Sequence, residues 1–346
     1  MMSLDVPALG RLSEMPSAGL ARQTPFELLP NLSRSQRGAA LWAKRDDMDG
    51  MAFGGNKVRQ LDYYFGAALA EGADTVLITG AVQSNFCRLC AAFAAKLGLE
   101  CHLQLEERVA KNDPLYRESG NVLVDRLLGA HLHSYPHGED EAGADANLEA
   151  IADDLRTRGR RPYVIHLAAG HPPLGALGYI HCAREVLAAI AQHNLDVAHI
   201  AVPSGSGSTH AGFLYGMRAL GSEIPVTGYC VRRGAGIQKQ RIEARCADIA
   251  ALLGAENPVR PEDVRTNDRF FGPGYGLINL PVERAIRLGA RTEALMLDPV
   301  YTGKCMAGAL NLAGTETPDR AVIFIHTGGT PALFAYASLL EGVLDA

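Results

Sequence analysis

Phe53-Gly54-Gly55-Asn56-Lys57 opens the stretch Phe53–Arg88, and Gly80-Ala81-Val82-Gln83-Ser84-Asn85 follows after one helical and one strand pattern. The first motif sets a lysine on a glycine-loosened turn at a helix start. The second sets small polar groups at the end of a strand, where the next helix begins. Helix starts offer free N–H groups and a partial positive charge, so both places suit an anion or an anionic cofactor. A lysine amine held at such a turn can form a Schiff base with an aldehyde.

Outward from this stretch, strands and helices alternate. Ala40–Lys44 reads as a strand, and Thr24-Pro25-Phe26 as a turn into a short helix within an irregular first 35 residues. Asn56 is placed to cap a helix carrying Leu61, Tyr64, Phe65 and Ala68 at helical spacing. Thr75–Thr79 is a β-branched strand. Asn85 is placed to cap a helix with Leu89, Phe93 and Leu97 on one face and Gly98 as its stop. Strands are expected at Cys101–Leu105, His131–Ser134, Tyr163–Leu167, Val197–Val202 and Val226–Val231. Helices are expected at Tyr116–Leu128, Ala144–Arg158, Leu177–Gln192 and Thr209–Leu220, with His137–Asn147 a solvated loop. Such alternation predicts an α/β chain, with parallel sheets layered by helices and sites at the carboxyl ends of strands.

Bulk properties narrow the function classes. A net charge of −5, from 33 basic and 38 acidic side chains interspersed, leaves no nucleic-acid footprint in the 346 residues. No run approaching the about 18–20 apolar residues of a membrane span is read, so no membrane partner is expected. Asp5 and Arg11 interrupt the N-terminus, so no signal peptide is expected either, and the chain is assigned to the cytoplasm. Of seven cysteines only Cys87 and Cys90 have C-x-x-C spacing. No second pair completes a zinc site, so buried thiols in a reducing cytosol are expected. His102, His166, His199 and His210 lack ligand spacing, and no metal is expected.

Ser204-Gly205-Ser206-Gly207-Ser208-Thr209 follows a strand and precedes a helix, where glycines let the backbone approach a phosphate. The loop lacks the Gly-Lys-Ser/Thr ending of a P-loop and the third glycine of a dinucleotide fingerprint. Phe324–Pro331 is a second glycine-rich strand end, where the Thr327 hydroxyl can meet a neutral ring nitrogen; His326 reads as a core histidine. Tyr275, on Gly272–Gly276, and Tyr301, in Asp298–Lys304, add rings and hydroxyls near turns. An amine for an aldehyde, amide dipoles for a phosphate and a partner for a ring nitrogen together describe a site for pyridoxal 5′-phosphate.

On these motifs the chain resembles the D-cysteine desulfhydrase and 1-aminocyclopropane-1-carboxylate (ACC) deaminase family of pyridoxal-phosphate enzymes of fold type II. The resemblance runs from Thr24-Pro25-Phe26-Glu27 through Lys44–Asp47, Gly54–Lys57, Gln83-Ser84-Asn85, the Ser204–Gly212 loop, Pro273–Gly276 and Asp298–Lys304 to His326–Gly329. It implies a two-domain, tryptophan-synthase-β-like fold with the cofactor between domains. Residues 1–57 and 169–346 would form the large domain and 58–168 the small one, in a homodimer. It implies that Lys57 carries the cofactor and moves the substrate Cα proton, and that Asn85 bonds the cofactor's ring oxygen. Ser84 and its helix start would hold the substrate carboxylate, Gly205, Ser206, Gly207, Ser208 and Thr209 the phosphate. Thr327 would face the pyridine nitrogen, with Tyr275 and Tyr301 beside substrate and ring.

Two features bear on the substrate. The deaminase branch has Glu where this chain has Thr302, so Thr302 resembles the desulfhydrase branch. The family usually has His where Phe86 stands and Gly-Gly-Ser-Asn where Ala169-Gly170-His171-Pro172 stands; Phe86 and His171 are therefore expected on the substrate side. The activity implied is β-elimination from a small, cysteine-like amino acid, D-cysteine giving pyruvate, ammonia and sulfide. L-Cysteate giving sulfite stays open, with Arg232, Arg233 and His171 as sulfonate contacts. ACC deaminase or amino-acid racemase chemistry on the same fold also stays open, as do a nucleotide-dependent oxidoreductase and a non-catalytic binding protein.

Overall fold

A computed structural model of the chain describes residues 5–110, 113–168 and 170–344, with side chains as far as Glu341. Strand β1 (Phe26–Leu28), helix α1 (Pro30–Gln36), β2 (Ala40–Arg45) and α2 (Lys57–Ala70) open the chain. Next come β3 (Thr75–Ala81), α3 (Asn85–Leu97), β4 (Glu100–Glu106), α4 (Pro114–Glu118), α5 (Gly120–Leu127), β5 (His131–Tyr135), α6 (Glu141–Thr157) and β6 (Pro162–Ile165). The remainder runs α7 (Leu174–His193), β7 (Val197–Ser204), α8 (Ser208–Ala219), β8 (Val226–Cys230), α9 (Ala235–Leu253) and β9 (Arg265–Asn267). It ends with α10 (Leu280–Glu293), α11 (Thr302–Ala313), β10 (Ala321–His326), α12 (Ala332–Ala335) and α13 (Ala337–Leu344).

The strands form two sheets. One has six strands in the order β1-β2-β10-β7-β8-β9, parallel except for β1, which pairs antiparallel with β2. The other has four parallel strands in the order β5-β4-β3-β6. Central strands β3 and β10 are buried along their whole length. Their largely apolar sequences are what a strand covered by helices on both faces requires.

The expected elements are largely present, and the departures have local causes. Thr24-Pro25-Phe26 leads into β1, because Phe26–Leu28 pairs with Trp42–Lys44 before the helix starts at Pro30. The single helix expected over Tyr116–Leu128 is two, broken where Ser119 is extended and Gly120 takes a φ of +59°. That break lets the Asn121 amide N–H reach Gln83 Oε1 at 2.9 Å. Helix α6 starts at Glu141, inside the expected loop, because Asp140 Oδ1 accepts the Gly143 N–H at 2.9 Å.

One expectation is corrected outright: α7, at 20 residues, is long and apolar enough to cross a bilayer, and half of that window is buried within the protein. It packs between α2 and α8, and the approach is close because the facing positions carry no side chain. A Cβ at Gly212 on α8 would strike the Ala176 carbonyl, and one at Gly178 would strike the Arg59 carbonyl. This three-helix layer holds the start of α2 against the start of α8. Gly212→Ala therefore lowers stability by about 1–3 kcal/mol through overpacking, outweighing the about 1 kcal/mol that alanine gains in helix propensity. Urea unfolding checks the sign.

Candidate active site

Loops from the carboxyl ends of both sheets line one cleft. Gly80 lies near the end of β3 and Ser84 follows it, Arg108 follows β4 and Leu167 follows β6. From the larger sheet come Gly205–Gly207 and Thr209 after β7, Arg232 after β8 and Thr327 after β10. Lys57, Asn85, Phe86, Tyr275 and Tyr301 complete the wall. Residues far apart in sequence converge because parallel strands all point their carboxyl ends the same way.

Lys57 Nζ lies 3.3 Å from Gln60 Oε1 and 4.7 Å from the centre of the Phe86 ring, with no carboxylate beside it. Burial pushes the amine down from 10.5 to about 8. A larger share of it is therefore neutral near neutral pH than for a solvated lysine. Asn56 occupies the cap position of α2 but does not cap it. Its Nδ2 instead donates to Thr209 Oγ1 at 2.8 Å, and Gln60 Nε2 donates to the same oxygen at 2.7 Å. With both acceptor positions filled, the Thr209 hydroxyl hydrogen is left to donate elsewhere.

The loop before α8 is held by its carbonyls. Arg241 Nε bonds Ser206 O at 2.8 Å, and Gln238 Nε2 bonds Gly205 O at 3.1 Å and Ser204 Oγ at 2.9 Å. Gly207 takes a φ of +104°. The first N–H groups of α8 have no partner within the helix and carry its positive dipole end. Ser208, expected to touch the phosphate, is buried and is not among the lining residues.

At the other strand end the cap is Ser84, not Asn85: Ser84 Oγ accepts from the N–H groups of Phe86 and Cys87, both at 3.2 Å. The Asn85 N–H and the Ser84 hydroxyl hydrogen remain for a ligand. Asn85 Oδ1 accepts from Asn121 Nδ2 at 3.1 Å, and Asn121 Oδ1 accepts from Arg88 Nε at 2.7 Å. Arginine can only donate, so this chain fixes which way both amides point and leaves the Asn85 NH₂ as a donor.

Tyr275 and Tyr301 share a hydroxyl hydrogen bond of 2.7 Å, their rings edge to face at 80°. Burial raises both phenols, which stay protonated. Lys304 Nζ anchors the Tyr275 loop through Phe271 O at 2.7 Å and Gly274 O at 2.8 Å. Thr302, whose resemblance to the desulfhydrase branch bears on the substrate, does not line the cleft. Its hydroxyl donates to buried Asp298 Oδ1 at 2.6 Å, and Asp298 also accepts the N–H groups of Val300, Tyr301 and Thr302. Thr327 does line the cleft and is largely buried, and its hydroxyl is not engaged by any of the side-chain hydrogen bonds described above. His326 is a satisfied core histidine, contacting Met296 O at 3.1 Å and accepting the Gly328 N–H at 3.2 Å.

His171 is placed elsewhere. Its ring stacks on His166 at 4.0 Å, and Nε2 lies 3.3 Å from Asp145 Oδ2. Ala169, of the same tetrapeptide, lies outside the described residues. Arg233 pairs with Glu141 rather than lining the cleft. Sequence reasoning missed Arg108, whose place two residues beyond β4 was the available signal. Its guanidinium pairs with buried Glu106 at 2.8 and 2.9 Å. All seven cysteines are buried and free.

This donor set fits pyridoxal phosphate: a half-buried, desolvated amine with no carboxylate beside it among the described residues, a turn of free N–H groups and hydroxyls, an oriented amide and the Thr327 hydroxyl share one cleft. The family described as pyridoxal-phosphate dependent enzyme matches residues 18–328. D-Cysteine desulfhydrases of Salmonella newport (strain SL254) and Salmonella gallinarum (strain 287/91) are each 39% identical to the chain over 315 residues, spanning 90% of it and 93% of the relative. A crystal structure described as an ACC deaminase homologue superposes with a TM-score of 0.86 at 34% identity, covering 99% of this chain and 100% of that one. O-ureido-L-serine synthase, at 16% identity and a TM-score of 0.66, shares the fold.

Two measurements follow from the geometry. In cofactor-free protein, competitive labelling with peptide mapping should give Lys57 a midpoint near about 8, against about 10.4 for a solvated lysine. Ser84→Ala should lower urea-unfolding stability by about 1 kcal/mol through loss of the α3 cap.

Proposed function

The chain belongs to the pyridoxal-phosphate-dependent enzyme family, and from that premise we propose that it cleaves the carbon–sulfur bond of a cysteine-like amino acid. D-Cysteine is the first substrate, giving pyruvate, ammonia and sulfide. The observation that carries the reading is the Lys57 amine, desolvated and facing the β7–α8 turn, in a chain 39% identical to D-cysteine desulfhydrases over nearly their whole length.

When bound, the cofactor supplies an aldehyde for amines and a conjugated ring that takes up the electrons left by a departing Cα proton. Lys57 would hold the cofactor and, with the neutral share of its amine enlarged by burial, would take the Cα proton. The α8 N–H groups and the Thr209 hydroxyl would hold the phosphate, together with the Gly205–Gly207 backbone. The Asn85 NH₂ would serve the ring oxygen and the Thr327 hydroxyl the ring nitrogen. A hydroxyl there would leave that nitrogen less protonated than a carboxylate would, which suits a good leaving group such as sulfide. The Ser84 hydroxyl and Asn85 N–H bind the substrate carboxylate. The paired phenols of Tyr275 and Tyr301 stand beside substrate and ring, with a proton available for the departing sulfur.

A sulfonate substrate finds less support. Of the three contacts read for it, only Arg232 lines the cleft, and Glu139 and Glu141 each lie 3.1 Å from it. A small domain over 58–168 set into a large one is part of the same proposal. It is supported by the four-stranded sheet lying wholly within that span and the six-stranded sheet wholly outside it; residues 1–4, 169 and 345–346 of the large part lie outside the described residues. A homodimer and a cytoplasmic setting belong to the proposal too, the latter supported by seven unpaired thiols.

Pyruvate assays with D-cysteine, L-cysteate, 3-chloroalanine and ACC test the activity: pyruvate and sulfide are expected from D-cysteine, and no pyruvate from any of the first three defeats the lyase reading. Lys57→Ala should abolish the near-visible absorbance of the purified enzyme and lower turnover by at least the roughly 10²–10⁴-fold that a positioned general base supplies. Tyr301→Phe should keep that absorbance and lower kcat about tenfold, the worth of one hydrogen bond of about 1.4 kcal/mol.

A further inference from the structure

His171 was expected at the substrate and is instead part of a second cluster, behind the cleft wall. Asp145, near the start of α6, stands between His166, just after β6, and His171, just before α7. Asp145 Oδ1 is 3.4 Å from His166 Nδ1, and Asp145 Oδ2 is 3.3 Å from His171 Nε2. One ligand atom from each of the three residues lies within 4.8 Å of the other two. An ion with tetrahedral bonds of about 2.0–2.1 Å sets its ligand atoms roughly 3.3–3.4 Å apart.

Proton placement in the neutral ring shows what the cluster offers a metal ion. His166 Nε2 lies 2.9 Å from Glu149 Oε1, so that nitrogen carries the ring hydrogen in the neutral imidazole. Nδ1 is then a bare lone pair, buried, without a hydrogen-bond partner among the described residues, and facing a carboxylate. In the neutral ring that lone pair faces a carboxylate oxygen, a contact that a cation relieves, whether a proton or a metal ion; Asp145 above all holds the imidazole above its ordinary value. A carboxylate holding the far N–H of a histidine is also the usual support of a metal-bound imidazole. The Asp145 and His166 side chains are each 16% exposed and His171 39%, so an ion and its waters can enter.

We propose that Asp145, His166 and His171 bind a divalent transition-metal ion, zinc by the two-imidazole, one-carboxylate donor set, with Glu149 orienting His166 from outside the coordination sphere. Binding turns the two stacked rings edge-on to the ion. The ion clamps β6, α6 and the start of α7 together, and with them Leu167, which lines the cleft. Arg245 already holds the same segment through the carbonyls of Leu167, Ala168 and His171.

The other histidine cluster lacks the free lone pair. His102 uses both nitrogens, toward Glu100 at 2.8 Å and His133 at 2.9 Å, and the second Glu100 oxygen is 2.5 Å from Arg160. His131→Ala, in that cluster, serves as the control.

The test is calorimetric titration of the full-length holoenzyme with zinc chloride at mildly alkaline pH, with X-ray absorption at the zinc edge. One zinc per chain is expected, with imidazole scattering, in the wild type and in His131→Ala. Asp145→Asn and the partly exposed His171→Ala should each weaken binding by at least about 100-fold, and Glu149→Gln by roughly 10–100-fold with the stoichiometry kept. Thermal melts without zinc establish that each variant is folded. No uptake by the wild type overturns the proposal, as does uptake that survives unchanged in folded Asp145→Asn or His171→Ala.

Discussion

Two amides bonded to one oxygen set the geometry of the site. Asn56 and Gln60 flank Lys57 on the first turn of α2, and both donate to Thr209 Oγ1 on the first turn of α8. The turn that presents the amine is thereby tied to the turn that presents its N–H groups to an anion. Neither bond is local: the partners are 153 and 149 residues apart in sequence. They form only because α7 packs tightly enough between α2 and α8, and that packing depends on glycines where the helices touch. Distances at a reactive centre need to hold within about half an ångström, and a support built into two rigid helices achieves this better than a loop.

Of the charged side chains lining the cleft among the described residues, Lys57, Arg108 and Arg232, only Lys57 lacks a carboxylate partner. Arg108 lies against Glu106, itself bonded by the Thr79 hydroxyl, and Arg232, Arg233 and Arg241 converge on Glu141. Arginine stays charged at every working pH, so these pairs shape the wall without titrating. Lys57 has no such partner, and desolvation acts on it unopposed. The group needed as a neutral amine is thus the one left uncompensated.

The strand–helix alternation, the lysine turn and the glycine-rich turns were legible because each is a local pattern of residue type and spacing. Eleven of the thirteen residues expected at the site line the cleft. The other two show what such patterns leave out. His171 sits in a polar loop whose direction is set by Arg245 and Asp145, neither near it in sequence. Ser208 has the right residue type at a position whose side chain packs inward. The helix caps failed for a related reason: Ser84 and Asn85 are both good caps, and the choice went to Ser84 because Asn121 already holds the Asn85 amide. Arg108 escaped notice because an arginine after a strand looks like any surface charge until its buried partner is known.

Phe86 shows how a departure from the family pattern fits these constraints. Its ring faces the Lys57 amine at 4.7 Å and tilts against Tyr64 at 6.3 Å, closing the apolar side of the cleft. An aromatic face favours the charged amine by about 0.5–2 kcal/mol, whereas burial favours the neutral one. Burial alone lowers the amine from 10.5 to about 8, a larger effect than the ring returns, so burial prevails. A histidine in this position would be a second titrating base beside the amine. With phenylalanine there, the groups left to move protons are Lys57 on one side and the Tyr275–Tyr301 pair on the other. Burial holds both phenols protonated, so they can donate but not compete for the proton that Lys57 would take in the proposed reaction. On the proposed reaction, removal of the Cα proton and protonation of the departing sulfur are then assigned to different groups, as an elimination needs.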